Sequence, residues 1–535
     1  MELFGATGDV AGLCRTWAAL VDTYIYEWAD LRPLSRWIEV FEELRARCPQ
    51  LPGPVEGRVA LSAFTALFFR QPDHPRLAEC EDRVFETAMD PSVDAHVRAS
   101  TGTLFVVAQA MLVGDLARAR RVVDAVEPLV RAGLVDPLTC LRWRGAEAAY
   151  RWAAGEHERS RRATAEGLAL ARETGVRGRD FLLHFQGVCA SLSGDDPEEA
   201  ARSLRGMAGA LDPHARLIVS LHEFASALVA LRRGDWTRSL CHARAAAEEA
   251  GAAGCPTAEA FAHFCAARAL ARTGAAAEAQ RELDAAHRLS HGIRGYWVPY
   301  LSALIEAMLA LARGDEQAAL GPIGAALAIG REGGFVNDLW FSREETAELC
   351  AVALANGVEV ETARQLLARR RCEPGERAMG LESWPWPIEI RVLGGLELRR
   401  EGQPLRLPGG PDRGALELLE LLVALGGSGE REELARLLWP AASRRVARQK
   451  LADALSRLRR LLGADGAIAQ RGGALSLDRR RCFVDVWAAE RAGRSGEVAR
   501  YRESVLEARR RAAARASGGT GAAVRRARAP APRRR

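Results

Sequence analysis

The chain has 535 residues, 48% hydrophobic and 27% charged, which is too long for one compact core and has the composition of folded rather than disordered protein. Its formal net charge is +6, yet residues 508–535 hold ten arginines and no acid, so the rest sums to about −4. The first residues, MELFGATGDVAGL, lack a basic stretch before an apolar core, and no run reaches about 18 uncharged apolar residues. No signal peptide and no membrane span are therefore expected, and the expected location is the cytoplasm. The eleven cysteines are scattered without a C-x-x-C pair, which predicts buried free thiols, Cys189 and Cys265 among them, rather than disulfides or a zinc site. The only lysine is Lys450; so extreme an arginine bias is read as coding composition rather than as selection for guanidinium chemistry.

In chain order, residues 1–371 carry almost no strand signal, and apolar residues recur at i, i+3, i+4 and i+7. A helix ending in Leu or Ala runs into a glycine, usually followed by an acid, and then into a second helix. The junctions fall at Gly114, Gly155, Gly194, Gly234, Gly274 and Gly314, spaced 41, 39, 40, 40 and 40 residues apart. Glycine suits a left-handed C-cap, and the acid suits the positive N-terminus of the next helix. Such pairs bury their apolar faces only by stacking on neighbours. "FRQPDHPRLAEC" and "ANGVEVETARQLL" read as degenerate end units. The pattern resembles tetratricopeptide-type repeats, in the longer variety of MalT-like sensor regions of bacterial regulators. The resemblance implies a helical superhelix whose concave groove takes a peptide, a protein partner or a small inducer. Trp17, Trp28 and Trp37 have the spacing of inter-helix packing or of a pocket lining, and no ligand residue is assigned.

Residues 372–387, "CEPGERAMGLESWPWP", read as a linker on Pro374, Gly375, Pro385 and Pro387. The period then changes to two. Ile388, Ile390 and Val392, then Leu396 and Leu398, then Leu405 and Leu407 alternate around turns at Gly394-Gly395 and Glu401-Gly402, which predicts a small antiparallel sheet. Three helices follow: one from an Asp412-capped turn to Gly426-Gly427, one ending at Trp439 before Pro440, and "SRRVARQKLADALSRLRRLLG" over 443–463. Short strands then flank a tight turn at Arg471-Gly472-Gly473. Sheet, three helices and hairpin predict a winged helix-turn-helix over 388–490. A short helical remnant is expected at 491–508 and a disordered Arg-rich tail at 509–535, which either adds non-specific DNA affinity or is an altered C-terminus.

The run from "VLGGLELRREGQPLRLP" through "REELARLLWP" and "LADALSRLRRLLG" to "FVDVW" resembles the OmpR/PhoB-type DNA-binding domain, in the branch found in AfsR/SARP-type regulators with a bacterial transcriptional activator domain (BTAD). In that family helical repeats can precede the domain, and an ATPase can precede the repeats. With one lysine there is no G-x-x-x-x-G-K-[ST] loop, so the chain either lacks that ATPase or is a fragment of a longer protein.

On a helical wheel Ala447, Leu451, Ala454, Leu455, Leu458 and Leu462 share one face. Arg445, Gln449, Ala452, Asp453, Ser456 and Arg460 lie opposite. Eleven basic residues against three acids fall between Ala441 and Cys482. A major groove admits one helix, so Arg445, Arg448 and Gln449, near its N-terminal half, are the candidate base readers. Ser456 shares their face. Arg459 and Arg460 sit where phosphates are expected. Arg413, at the start of the first helix, is expected to add a phosphate contact alongside that helix's N-terminal amides, and Arg471 at the hairpin tip suits a minor groove.

The expected function is a DNA-binding transcriptional regulator, with double-stranded DNA and RNA polymerase or another protein as partners, a small inducer in the repeats, and no membrane. The alternative is a scaffold or adaptor whose winged helix makes protein contacts. No cofactor and no catalytic or metal residues are expected, since no H-E-x-x-H, G-x-S-x-G, dinucleotide fingerprint or metal-spaced Cys/His cluster occurs.

Overall fold

The structure, a computed structural model, describes residues 4, 8–47, 51, 53–335, 339–406, 413–463 and 466–526. It is mainly helical, with seven short strands in two sheets among the described residues. No described helix is long and apolar enough to cross a membrane. Two compact units divide the chain, Met1–Thr346 with Glu361–Arg370, and Ala347–Val360 with Arg371–Arg535.

The first unit has two kinds of helix in alternation. Pro137–Ala153, Asp180–Ser193, Arg216–Arg232, Pro256–Thr273 and Trp297–Ala312 bury residues on nearly every side. Their successors, His157–Thr174, Pro197–Gly209, Trp236–Ala253, Ala276–Ser290 and Glu316–Gly333, bury a single stripe. Composition accounts for this: PTAEAFAHFCAARALART is apolar around the wheel, whereas AAEAQRELDAAHRLS sets Glu, Gln and Arg on one side. An earlier pair, Ala95–Ala108 and Leu116–Arg131, precedes these.

At the junctions, Gly114, Gly155, Gly234, Gly274 and Gly314 adopt φ of 92, 84, 76, 79 and 75°. Gly194 does not; its φ is −79°, and Asp195 takes the left-handed turn at 67°. "LSGDDPEE" supplies two aspartates in succession, and Asp tolerates this region better than most residues. Asp195 makes the turn there, and Asp196 caps the next helix. The carboxylates of Asp115, Asp196, Asp235 and Asp315 accept from the backbone N–H three residues on, at 2.9, 2.9, 3.0 and 2.9 Å. The acids thus act chiefly as N-caps. Glu156 and Ala275 make no such bond.

Counted from the left-handed residue, the fifth position is always small: Ala119, Ser160, Ala200, Ser239, Ala279 and Ala319, all 0% exposed. Ser160 and Ser239 donate their hydroxyls to the carbonyls of Ala148 and Ala227 on the preceding helix, at 2.8 and 2.9 Å. This is where paired helices cross, and a longer side chain would part them.

The unit also closes on itself. Leu31 N–H donates to the Ala253 carbonyl at 2.7 Å, and Leu217 N–H to the Trp28 carbonyl at 3.0 Å. A π-helical turn, Gln109–Val113, exposes carbonyls that accept from Trp297 Nε1 at 2.9 Å and from Tyr296 N–H at 2.6 Å. Trp17 is buried and stacks on Phe41 at 4.9 Å, which is the packing role; Trp28 instead lines a central cavity. Cys189, Cys255 and Cys265 are buried, and burial pushes the Cys255 and Cys265 thiols up to about 12, so neither is a nucleophile at neutral pH.

In the second unit the order is β1 (Ile388–Arg391), β2 (Glu397–Arg400), β3 (Gln403–Pro404), α1 (Arg413–Ala424), β4 (Ser428–Glu430), α2 (Arg431–Leu438) and α3 (Arg444–Leu462). Then come β5 (Ile468–Arg471), β6 (Ala474–Leu477), β7 (Cys482–Val484), α4 (Asp485–Arg491) and α5 (Ser495–Arg526). The sheets run β3-β2-β1-β7 and β4-β6-β5. β1 and β2 are antiparallel as expected, with Ile390 opposite Leu398. β7 pairs parallel to β1, Ile390 opposite Val484, so the sheet is mixed rather than purely antiparallel. β4 adds a third strand to the hairpin, Gly429 opposite Leu475, where "GSGE" has no strand signal. Asp412 and Leu407 lie outside the described residues.

Two segments differ from the sequence reading. Within 372–387, expected to be a linker, Trp384 and Trp386 are buried. Trp386 Nε1 donates to the Leu381 carbonyl at 2.7 Å, and its ring lies 6.2 Å from Phe483. The prolines carry a breaker signal, but the tryptophans among them pack the segment onto its own unit. Second, α5 continues past residue 509 to Arg526, where a tail without structure was expected. "RRRAAARA" has high helix propensity. Tyr501 donates to the Glu420 carbonyl at 3.2 Å, and Arg509 pairs with Glu417 at 3.0 Å, which ties α5 to α1. Residues 527–535 of the expected tail lie outside the described residues.

The "FVDVW" motif also has a structural task. Asp485 Oδ2 accepts from the N–H groups of Val392 and Leu393, each at 2.8 Å, and so closes the end of β1 against the start of α4. Asp485→Ala strands both donors and should cost about 2 kcal/mol, read as a lower urea midpoint. Ala279→Leu should lower stability by about 1–3 kcal/mol, while Ala277→Leu, two positions away and exposed, should change it by under about 0.5 kcal/mol; thermal melts of the two variants distinguish them.

Candidate nucleic-acid interface

The geometry of α3 follows from its apolar stripe. Ala447, Leu451, Ala454, Leu455, Leu458 and Leu462 are the buried residues of the helix, and they join Leu418, Leu422 and Leu434 of α1 and α2 in one core. Burying the stripe presents the opposite face outward. Gly463, at φ 66°, ends the helix with its N–H on the Arg459 carbonyl.

Arg445, Arg448, Gln449, Ser456, Arg459 and Arg460 are all exposed, but their side chains are engaged differently. Glu432 of α2 forms ion pairs with both Arg448 and Arg444. Gln449 Nε2 donates to Asp453 Oδ1 at 3.1 Å, one turn along the helix, so the acid on the outward face orients the amide. Arg459 donates to the Ile468 carbonyl of β5 at 3.2 Å and joins helix to hairpin. Arg445, Lys450, Arg460 and Arg471 are exposed and make no side-chain hydrogen bond or ion pair among the described residues.

Arg471 stands at the tip of the β5–β6 hairpin, paired in register with Ala474. Gly472 and Gly473 supply the positive φ values of 62 and 151° that a two-residue turn needs. Arg413 opens α1, is 83% exposed and pairs with Glu417 at 3.2 Å. No hydrogen bond or ion pair among the described residues joins Arg413 or Arg471 to the α3 face; they belong to separate elements.

Two features of this surface were missed in the sequence. Val446 is 46% exposed, an apolar side chain between Arg445 and the buried Ala447. The wheel carried the signal, since Val446 lies roughly 140° from Leu451. Glu432 carried none, because its pairing with α3 depends on how two helices cross. The surface is therefore a helix face with unpaired cations, an oriented amide and one exposed apolar group, flanked by a hairpin with a cationic tip. Among the described residues, no group of three or more His, Cys, Asp or Glu side chains is placed to hold a metal ion.

Compared with known proteins, the chain matches no protein-family model and no curated sequence.

Proposed function

We propose that the chain is a cytoplasmic DNA-binding transcriptional regulator of the AfsR/SARP kind. In this reading the second unit is an OmpR/PhoB-type winged helix-turn-helix, with α3 the recognition helix and β5–β6 the wing. The first unit is a tetratricopeptide-like superhelix that serves as sensor or partner-binding module. The observation that carries the reading is the outward face of α3. Arg445 and Arg460 are exposed without partners, Gln449 is held in orientation by Asp453, and Val446 is exposed beside them.

That set suits direct readout. Arg takes guanine O6 and N7, Gln takes adenine N6 and N7, and an aliphatic side chain meets a thymine methyl. Val446 thus joins Arg445 and Gln449 as a candidate base contact. Arg448 moves from reader to a residue that must leave Glu432 before it can reach DNA. Arg459, shared with the Ile468 carbonyl, is better placed to hold the hairpin than to grip a phosphate. RNA polymerase or another protein is the proposed second partner.

Glu432 also favours the alternative, an adaptor in which this face meets protein, because it neutralises two of the helix's arginines. Salt separates the two. The full chain should bind selected duplex DNA, with log affinity falling by about 0.9 per log salt for each phosphate neutralised; no binding to any duplex from a random pool would remove the regulator reading. Arg445→Ala should cost about 1–3 kcal/mol on the preferred site and relax one base position, whereas Arg460→Ala should weaken all duplexes alike and flatten the salt slope by about one contact. Glu432→Gln releases Arg444 and Arg448, so non-specific affinity should rise and the salt slope steepen by roughly one to two contacts; a slope unchanged in filter-binding titrations would favour the adaptor.

A further inference from the structure

The first unit holds a pocket of about 370 Å³, partly open to solvent, within the range of small-molecule sites. Its wall is largely apolar, with Trp28, Phe69, Leu104, Phe224, Phe261 and Trp340 among the lining residues. Trp340 packs edge-on against Phe224 at 5.7 Å, and Phe261 lies 6.4 Å from the same ring. The Trp28 carbonyl accepts from Leu217 N–H on the helix that carries Phe224, and the Thr257 hydroxyl, on the helix that carries Phe261, donates to the Phe68 carbonyl beside Phe69 at 2.9 Å.

Part of the wall is charged, and its charges are not balanced alike. Asp22 is matched by Arg58 and accepts from Ser62 at 2.8 Å. Asp136 caps the helix Pro137–Ala153 through Thr139 N–H at 3.0 Å, accepts from the Thr139 hydroxyl at 2.9 Å and sits 2.7 Å from His96 Nδ1. Arg142 and Arg179 differ. Both guanidiniums lie by the Tyr26 ring, 5.7 and 5.3 Å from its centre. Arg142 donates to the Tyr26 hydroxyl at 3.0 Å. Neither forms an ion pair with any carboxylate among the described residues. Two like charges on one half-exposed aromatic ring repel each other, and an aromatic face offsets only part of that. Burial and the neighbouring Arg142 together push Arg179 down to about 10. No carboxylate among the described residues supplies these two arginines with a counter-charge.

We propose that the first unit binds a small amphipathic organic anion here, its anionic group against Arg142 and Arg179 beside Tyr26 and its apolar body among Trp28, Phe224, Phe261 and Trp340. Paired guanidiniums are suited to a carboxylate or phosphate, and the aromatic wall excludes water from the rest of the molecule. The proposal deepens the sensor role given to this unit above: it names the chemistry of the inducer, and it rests on that reading only for the word inducer.

The test uses the full chain and simple probes. Decanoate, decan-1-ol and decyltrimethylammonium share an aliphatic body and differ in head-group charge; 2-naphthoate offers an aromatic body with the anionic head. Binding is read by calorimetry and by the tryptophan emission to which Trp28 and Trp340 contribute. Expected is saturable binding of one decanoate or naphthoate per chain, about tenfold or more tighter than decanol, with the cation weakest. Arg142→Gln with Arg179→Gln should weaken the anion about tenfold and leave decanol unchanged, and the corresponding Lys pair should keep part of the anion's affinity. Absence of saturable anion binding below about 1 mM, or indifference to head-group charge in the wild-type chain, overturns the proposal. The wild-type head-group series decides the matter even where the double variant does not fold. No DNA enters this assay. Anion binding by a chain that ignores DNA would therefore remove the regulator reading and keep the site, and DNA binding without anion binding would do the reverse.

Discussion

Two helices approach closely only where the residue at their crossing is no larger than Ala or Ser. In the first unit that constraint recurs at Ala119, Ser160, Ala200, Ser239, Ala279 and Ala319, always in phase with the left-handed residue before it. The phase matters more than the glycine. At the third junction the turn moves one residue, from Gly194 to Asp195, and the small residue moves with it to Ala200. Because each pair repeats one crossing, the helices buried all round line up on one side of the stack. The N-terminal segment meets them through the Leu31–Ala253 and Trp28–Leu217 hydrogen bonds, and Trp28 lines the pocket there.

The second unit rests on a different device. A short β-strand buries little by itself, and here a later segment of the same unit secures it: β7 returns to lie parallel beside β1, and Asp485 takes the amides just beyond it. With the sheet fixed, the apolar stripes of α1, α2 and α3 meet in one core. The polar face of α3 is then turned outward by default. An interface made this way needs no special folding of its own, since it is what remains when the leucines are buried.

Much of this was legible in the sequence because it is written in periodicities. The forty-residue spacing marks the helix pairs, and the wheel of α3 marks its buried stripe, Ala447 through Leu462. The rest depends on contacts between residues distant in the chain, for which local pattern has no signal. β4 is three residues of Ser, Gly and Glu that become a strand only because β6 is adjacent. Trp384 and Trp386 sit among prolines that suggest a linker, yet Phe483, about a hundred residues on, gives Trp386 an aromatic neighbour. The Glu432 clamp on Arg444 and Arg448 and the two guanidiniums on Tyr26 are likewise products of packing. Composition shows how many charges there are; only the fold shows which ones lack a counterpart.

Lys450 stands exposed on the flank of α3 and carries the only side-chain amine among 535 residues. Reagents and enzymes that seek amines, such as activated esters, aldehydes or acyl donors, therefore meet one side chain, and it lies on this helix. Acylation there erases one positive charge beside Gln449 and leaves every guanidinium of the surface intact. The absence of lysine everywhere else makes this helix chemically addressable at a single nitrogen.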